Sequence, residues 1–120
     1  MSDKAWYLLG VGNRYLNKEK YEKAIETYEA LISENPPKEI LVRAYNDMGI
    51  AHAKIEEFEK ANKFFKKAET IKEYSPNFGV ELYNNIIKFF DFLDLGEKVI
   101  EYQNKKEKIK SSFNLFEFAA

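Results

Sequence analysis

The chain lacks cysteine and is poor in residues that interrupt helices. Among its 120 residues there are no cysteines, three prolines and five glycines. Without a thiol there is no disulfide, no cysteine-ligated zinc site and no cysteine nucleophile. Because helix breakers are few and almost no run of residues suits a strand, we predict an all-α fold.

A strong net charge and a long apolar run are also lacking. The 19 basic and 20 acidic residues leave a net charge of −1, which gives no global attraction to nucleic acid or to an anionic membrane. No apolar stretch approaches the roughly 18 residues of a membrane span, and the N-terminal sequence lacks the basic start and apolar length of a signal peptide. We expect a cytoplasmic protein that partners neither nucleic acid nor membrane.

The composition that remains is ordinary for a globular protein, with 45% hydrophobic and 32% charged residues. No change of composition and no flexible linker divides the chain. We therefore predict a single domain over residues 1–120.

The spacing of apolar residues predicts six helices. Ser2 or Asp3 is expected to cap the first helix, and Ser75 and Pro76 are expected to be the N-cap and first residue of the fifth. The sixth is predicted to start at about Glu97 and to run on through the C-terminal tail. The second, third and fourth are predicted at residues 21–32, 38–54 and 57–72.

An internal repeat relates these helices in pairs. Gly12 and Gly49 are 37 residues apart, as are Ala24 and Ala61, and a third copy follows at a spacing of 38. Small residues let two helix backbones approach, so each pair is expected to mark the crossing of two helices. The three pairs, each separated by 12 residues, are Gly12/Ala24, Gly49/Ala61 and Ile87/Val99.

The repeats also share a pattern of residue types. The first copy reads Leu8-x2-Val11-Gly12-x2-Tyr15, Ala24-x3-Tyr28 and Pro36, and the second reads Tyr45-x2-Met48-Gly49-x2-His52 and Ala61-x3-Phe65. The third keeps mainly the register, with Tyr83-x2-Ile86-Ile87-x2-Phe90 and Val99-x3-Gln103. This pattern resembles the tetratricopeptide repeat, whose period is about 34 residues. The three copies lie at about residues 5–38, 42–75 and 80–113.

The resemblance implies three stacked antiparallel hairpins that form a short right-handed superhelix, with the first helix of each hairpin lining a concave groove. Such grooves commonly hold an extended peptide or a helix of another protein. We therefore expect a protein–protein interaction module. The residues that the family register assigns to the groove are Trp6, Leu9, Asn13, Asn17, Arg43, Asn46, Asp47, Ile50, Glu81, Asn84, Asn85 and Lys88.

Asparagine suits a peptide-binding groove, because its amide both donates and accepts and can bracket a peptide unit. The alternative is that these asparagines are ordinary polar surface residues. Some members of the family grip the C-terminal carboxylates of heat-shock chaperones with lysine, asparagine and arginine side chains. The positions that match here hold one agreeing residue, Asn13, and two carboxylates that would repel an acidic tail, so we expect no such clamp. Those positions are Leu9, Asn13, Asp47, Glu81 and Asn85.

Signals of catalysis and of metal binding are weak. His52, the only histidine, falls where the other copies have Tyr15 and Phe90, and we interpret it as a packing residue. Three glutamates around a turn, Glu56, Glu57 and Glu59, are interpreted as a solvated face. There is no glycine-rich phosphate loop, no metal-ligand spacing and no nucleophile with a base. We expect no enzyme, no cofactor and no metal.

The C-terminal tail, residues 111–120, leaves two interpretations open. An apolar stripe along the sixth helix continues into the tail. This stripe either packs back on the fifth helix in a monomer or packs on a second copy of the chain. Our hypothesis is a homodimer through the third repeat and the tail. Two other functions remain, a self-associating structural protein and a small chaperone that covers an apolar client segment. The residues expected in self-association are Phe113, Leu115, Phe116 and Phe118.

Overall fold

The computed structural model describes the backbone of residues 2–71 and 76–119, and the side chains of residues 3–71 and 77–112. Within those ranges the regular structure is entirely helical and no strand occurs, which confirms the all-α prediction. The helices are α1 (Ser2–Asn17), α2 (Tyr21–Ser33), α3 (Lys38–Lys54), α4 (Phe58–Thr70), α5 (Pro76–Phe92) and α6 (Gly96–Ala119).

The helix limits agree with the sequence patterns except at a few ends. α3 has the predicted limits, whereas α4 is one residue shorter at its start and two residues shorter at its end. α1 already includes Ser2, whose side chain lies outside the described set, and Asp3 lies in the first turn, where the helix dipole favours a carboxylate. α5 begins at Pro76 as predicted, while Ser75 lies outside the described residues.

Three turns, one within each helical pair, close in the same way. After α1 the N–H of Lys20 donates to the carbonyl of Tyr15 at 2.8 Å, and that of Glu19 donates to Leu16 at 3.0 Å. These are the two bonds of a Schellman motif, and the same two bonds close α3 and α5. The residues in the left-handed conformation are Glu19, Glu56 and Asp94, at φ of 60°, 64° and 59°. The repeat predicted from sequence is thus present in the backbone.

The glycines of α1 and α3 lie against aromatic rings of the helix that follows. The ring of Tyr28 covers Gly12, and the ring of Phe65 covers Gly49, in each case too closely to leave room for a Cβ atom. Both rings are buried. Both glycines therefore lie at a close contact between two helices, as the sequence predicted, whereas their pairing with Ala24 and Ala61 and the third pair, Ile87/Val99, stay predictions.

The chain divides into two compact units, Met1–Glu73 and Tyr74–Ala120. In the first unit α3 packs against both α1 and α2, so the second hairpin lies on the first. Apolar residues of α1 and α2 on one side and of α3 on the other form the core between these hairpins. Its buried members are Ala5, Leu9, Ala24, Ile25, Tyr28, Leu31, Ile40, Ala44, Met48 and Ala51. The single domain and its superhelical arrangement stay predictions.

The second unit is the pair of α5 and α6. The ring of Tyr102 on α6 stacks or tilts against Tyr83 and Phe90 of α5, with both pairs of ring centroids 5.6 Å apart. Lys105 places its Nζ 4.4 Å from the centroid of Tyr102. Lys106 donates from Nζ to Oδ1 of Asn84 at 3.1 Å, which adds a polar bond between the two helices.

Candidate functional site

The residues that α1 contributes to the predicted groove are not equally accessible. Trp6 is 46% exposed, Asn17 is exposed and Asn13 is half-buried. Leu9 is only 5% exposed and belongs to the core between the first two hairpins. It therefore supports the helix packing and does not line an open surface, contrary to the expectation from the register.

The residues that α3 contributes show the same mixture. Arg43, Asp47 and Ile50 are half-buried. Asn46, by contrast, is 2% exposed and is one of two buried polar residues among the described side chains. Its position is equivalent to that of Leu9, 37 residues earlier, and both are covered. Asn46 therefore cannot bracket a ligand's peptide unit as long as the helices keep this packing.

Tyr28, which the sequence analysis did not assign to the groove, joins α1 to α3. The hydroxyl of Tyr28, on α2, donates to Oδ1 of Asn13 at 2.7 Å and to Oδ2 of Asp47 at 3.2 Å. One hydroxyl hydrogen is thus shared between an amide of α1 and a carboxylate of α3. We call Asn13, Tyr28 and Asp47 the tyrosine bridge.

The polar groups around the tyrosine bridge hold each other in place. Asn46 donates from Nδ2 to Oδ1 of Asp47 at 3.1 Å, so both oxygens of that carboxylate accept a hydrogen bond. Burial and the neighbouring charge and hydrogen bond of Asp47 raise the pKa of Tyr28 above its ordinary range. The phenol therefore stays neutral and keeps its proton for donation.

One feature of the sequence could have revealed the bridge. Tyr28 stands where the second copy has Phe65, in a position that needs an aromatic ring and no hydroxyl. A hydroxyl on a ring that is otherwise buried requires a partner. Two of the residues assigned to the groove, Asn13 and Asp47, are those partners. The structure thus brings together two expected residues through a third.

The groove residues of α5 belong to the second unit. Glu81 and Lys88 are exposed, whereas Asn84 and Asn85 are half-buried. Asn84 accepts a hydrogen bond from Lys106, as described above. Its amide oxygen is therefore engaged in joining α5 to α6.

His52 packs as the sequence predicted and also makes a polar bond. Its buried ring stacks on Phe64 with the centroids 5.3 Å apart and the planes at 8°. Its Nδ1 lies 2.8 Å from Oε1 of Glu57, and this hydrogen bond is the main reason that the pKa of Glu57 is lowered. Glu56 and Glu59 are exposed, as the sequence predicted, and Glu57 keeps 40% of its side chain exposed while it ties the start of α4 to α3.

The residues predicted to take part in self-association cannot be placed from the described side chains. Phe113, Leu115, Phe116 and Phe118 lie on the backbone of α6, but their side chains are outside the described set. In residues 2–71 and 76–119, no helix is long and apolar enough to cross a membrane, and no acidic or histidine cluster is arranged to hold a metal. In comparisons with known proteins, the chain matches no family model and no curated sequence.

Proposed function

We propose that the chain is an interaction module of the tetratricopeptide type, in which the face shared by α1 and α3 binds a segment of another protein. The observation that carries this proposal is the tyrosine bridge. A single hydroxyl fixes an amide and a carboxylate on two neighbouring hairpins, so these groups are ordered before a ligand arrives. Groups that are already ordered lose less conformational entropy on binding.

The same face offers an apolar anchor beside the polar groups. Trp6 is seven residues before Asn13 on α1, which is two helical turns or about 10 Å. Large exposed aromatic side chains are frequent hot spots of binding, and amides order a peptide backbone. A partner segment that places an apolar side chain about three extended residues from a polar stretch would match this spacing.

The charge of the face argues for a ligand other than an acidic tail. Asp47 is the central carboxylate of the bridge and Asn13 is an amide, so this pair of positions carries no cation. A terminal carboxylate placed there would meet repulsion from Asp47. The module proposed here therefore has no carboxylate clamp at these two positions, and the cation that the face does carry is Arg43, about one helical turn before Asp47.

The experiment that tests the proposal is selection of random 12-residue peptides displayed on phage, followed by titration of the recovered peptides against variants. Trp6→Ala should weaken binding roughly tenfold or more, as expected for a hot spot. Tyr7→Ala is the matched control, because Tyr7 is the next residue of α1 and is 66% exposed but outside the groove register. Peptides that bind both variants as well as the parent chain would contradict the proposed face.

A further inference from the structure

Three aromatic rings are arranged alike in the second and the third helical pair. In the second pair, the ring of Phe64 on α4 stacks with Tyr45 and His52 of α3, with ring centroids 5.9 Å and 5.3 Å apart. We call these three residues the α4 ring cluster. The residues 38 positions later are stacked or tilted in the same way, and we call them the α6 ring cluster. They are Tyr83, Phe90 and Tyr102.

A lysine three residues after the central ring covers each ring cluster. Lys67 places its Nζ 5.4 Å from the centroid of Phe64 and 5.5 Å from that of Tyr45. Lys105 has the equivalent position over Tyr102. Because the face of an aromatic ring attracts a cation, these contacts favour one position of each ammonium group. The charge of Lys67 is therefore positioned before any ligand arrives.

The two ring clusters differ in the residue one helical turn before that lysine. In α6 this residue is Glu101, whose carboxylate lies 3.4 Å from Nζ of Lys105. In α4 it is Lys63, whose Nζ lies 6.0 Å from the centroid of Phe64. Two lysines four residues apart on a helix repel each other. The lysine of the α6 ring cluster is thus neutralised within its own helix, whereas the α4 ring cluster carries two positive charges.

The surface of α4 around these two lysines is basic. None of the residues three or four positions from Lys67 along α4 is acidic, and Glu59 is one turn before Lys63. Among the side chains that the structure describes, no carboxylate lies at salt-bridge distance from either lysine. Both lysines are exposed, and residues 59–67 hold four lysines and one glutamate. This surface therefore attracts an anion.

We propose that Lys63 and Lys67, on the α4 ring cluster, bind an acidic segment of another protein through two of its carboxylates. The two lysines are four residues apart, which is about 6 Å along the helix axis. Acidic residues at alternate positions of an extended segment lie on one side of it and about 7 Å apart, which matches this spacing. The rings order the ammonium groups, so that less conformational entropy is lost when the segment binds.

A short acidic segment fits this surface better than a nucleic acid does. Lysine is a point charge that pairs with carboxylate and phosphate alike. The net charge of the chain is −1, however, which gives no long-range attraction to a polyanion. None of the residues of this surface belongs to the tyrosine bridge or to the predicted groove, so this proposal and the proposed function stand or fall independently.

NMR spectra of the isotope-labelled full chain test the proposal directly. The probe is a short peptide with blocked ends whose charges are those of one Glu-Gly-Glu sequence. The amide signals of residues 63–67 should shift and reach saturation as the peptide is added. Those of residues 101–105, the equivalent stretch of α6, should stay in place because their lysine is already neutralised. A peptide with Gln-Gly-Gln is the matched control ligand and should shift neither set.

An exchange of one residue between the two ring clusters gives a second test. Lys63→Glu gives α4 the arrangement that α6 already has, so the helix should fold and the dissociation constant of the peptide should rise roughly tenfold or more. Glu101→Lys makes the opposite exchange, and residues 101–105 should then respond to the peptide. Lys66→Glu is the matched control, because it changes an exposed lysine of α4 that contacts no ring of the cluster. It should raise the dissociation constant by less than about threefold.

Several results would overturn the proposal. One is the absence of shifts at residues 63–67 with about 10 mM peptide, and another is an equal response to the glutamine peptide. Equal effects of Lys63→Glu and Lys66→Glu, or a Glu101→Lys chain that does not respond, would overturn it as well. A single-stranded oligonucleotide that binds residues 63–67 more tightly than the peptide would assign the surface to nucleic acid instead. Signals that move when the free chain is diluted would assign it to a second copy of the chain.

Discussion

The ring of Tyr28 lies so close to Gly12 that no residue with a Cβ atom would fit at position 12. A Cβ atom there would stand 2.5 Å from Cε1 of the Tyr28 ring, and the corresponding distance from Gly49 to Phe65 is 2.7 Å. In both hairpins a glycine of the first helix receives a ring of the second helix. This contact brings the tyrosine hydroxyl to the face of α1 and α3.

Adding a methyl group at either glycine should therefore destabilise the chain. Gly12→Ala and Gly49→Ala should each lower the free energy of unfolding by about 1–3 kcal/mol, because a buried ring must move. Urea unfolding followed by circular dichroism measures this.

Gly10→Ala is the matched control for both glycine variants. Gly10 is on the same helix as Gly12 but has nothing within 4 Å of an added Cβ. Alanine is a better helix former than glycine, so this variant should be more stable by about 0.5–1 kcal/mol. Equal effects at positions 10 and 12 would disprove the close crossing.

Removal of the Tyr28 hydroxyl should separate its polar role from its packing role. Tyr28→Phe keeps the ring over Gly12 but leaves Asn13 and Asp47 without their shared donor. We expect a loss of about 0.5–1.5 kcal/mol, the usual net contribution of one hydrogen bond, because both acceptors are half-buried and Asp47 also accepts from Asn46. Urea denaturation provides the measurement.

Tyr7→Phe serves as the comparison for the loss of a hydroxyl, since Tyr7 is largely exposed on α1. Its free energy of unfolding should remain within about 0.5 kcal/mol of the parent chain. If Tyr28→Phe is equally harmless, the tyrosine bridge does not order these groups.

Glycine should be more stable than glutamate at the left-handed positions of the turns. Glu19 and Glu56 have φ of 60° and 64°, a conformation that costs a residue with a Cβ atom about 1–2 kcal/mol. Glu19→Gly and Glu56→Gly should therefore raise the unfolding free energy by up to about 1 kcal/mol, after the entropy lost by glycine is subtracted.

Glu29→Gly supplies the opposite expectation, because Glu29 is exposed within α2. Glycine in a helix is about 1 kcal/mol less favourable than alanine, so this variant should be less stable. Thermal and urea unfolding of the three glycine variants compare the sites. A destabilising effect at all three would mean that the turns do not need the left-handed conformation.

Acid should weaken the bond between His52 and Glu57. The hydrogen bond from His52 lowers the pKa of Glu57 from its ordinary 4.5. The folded chain therefore binds the proton less readily than the unfolded chain, and the stability from this carboxylate is complete above pH 4.5 and lost as pH falls through the lowered pKa. Glu57→Gln should make the stability less dependent on pH in this range.

The control for the acid prediction is Glu59→Gln. Glu59 is exposed in the first turn of the same helix. Stability of the two variants and the parent chain is measured between pH 6 and pH 3. A pH profile of Glu57→Gln that parallels the parent would argue against a native bond at this position.

The sequence predicted the helices well because their determinants are local. Pro36 and Pro37 end α2, and the spacing of 37 residues between Gly12 and Gly49 located the crossings. The limits of α1 were less accurate, since Ser2 and Asp3 favour both a cap and the first turn of a helix. Local preference alone does not choose between these two places.

The candidate site was harder to predict because burial depends on neighbouring helices. Leu9 and Asn46 occupy equivalent positions, and each is covered although the register implied an open face. From their residue types, Leu9 was expected to be an apolar anchor for a ligand and Asn46 a surface amide. Tyr28 was missed because its aromatic ring alone explained why it matches Phe65 in the second copy. The partners of its hydroxyl, Asn13 and Asp47, are distant in sequence.

The three Schellman turns place one equivalent amide in each helical pair. These amides belong to Lys20, Glu57 and Leu95, and they donate to Tyr15, His52 and Phe90 at 2.8, 2.9 and 3.0 Å. Hydrogen exchange at these sites reports the opening of each pair separately, as in proteins whose segments unfold in distinct steps. Equal protection at the three amides would mean that the chain opens all at once. Graded protection would identify the pair that opens first, where proteolysis of the native chain should begin.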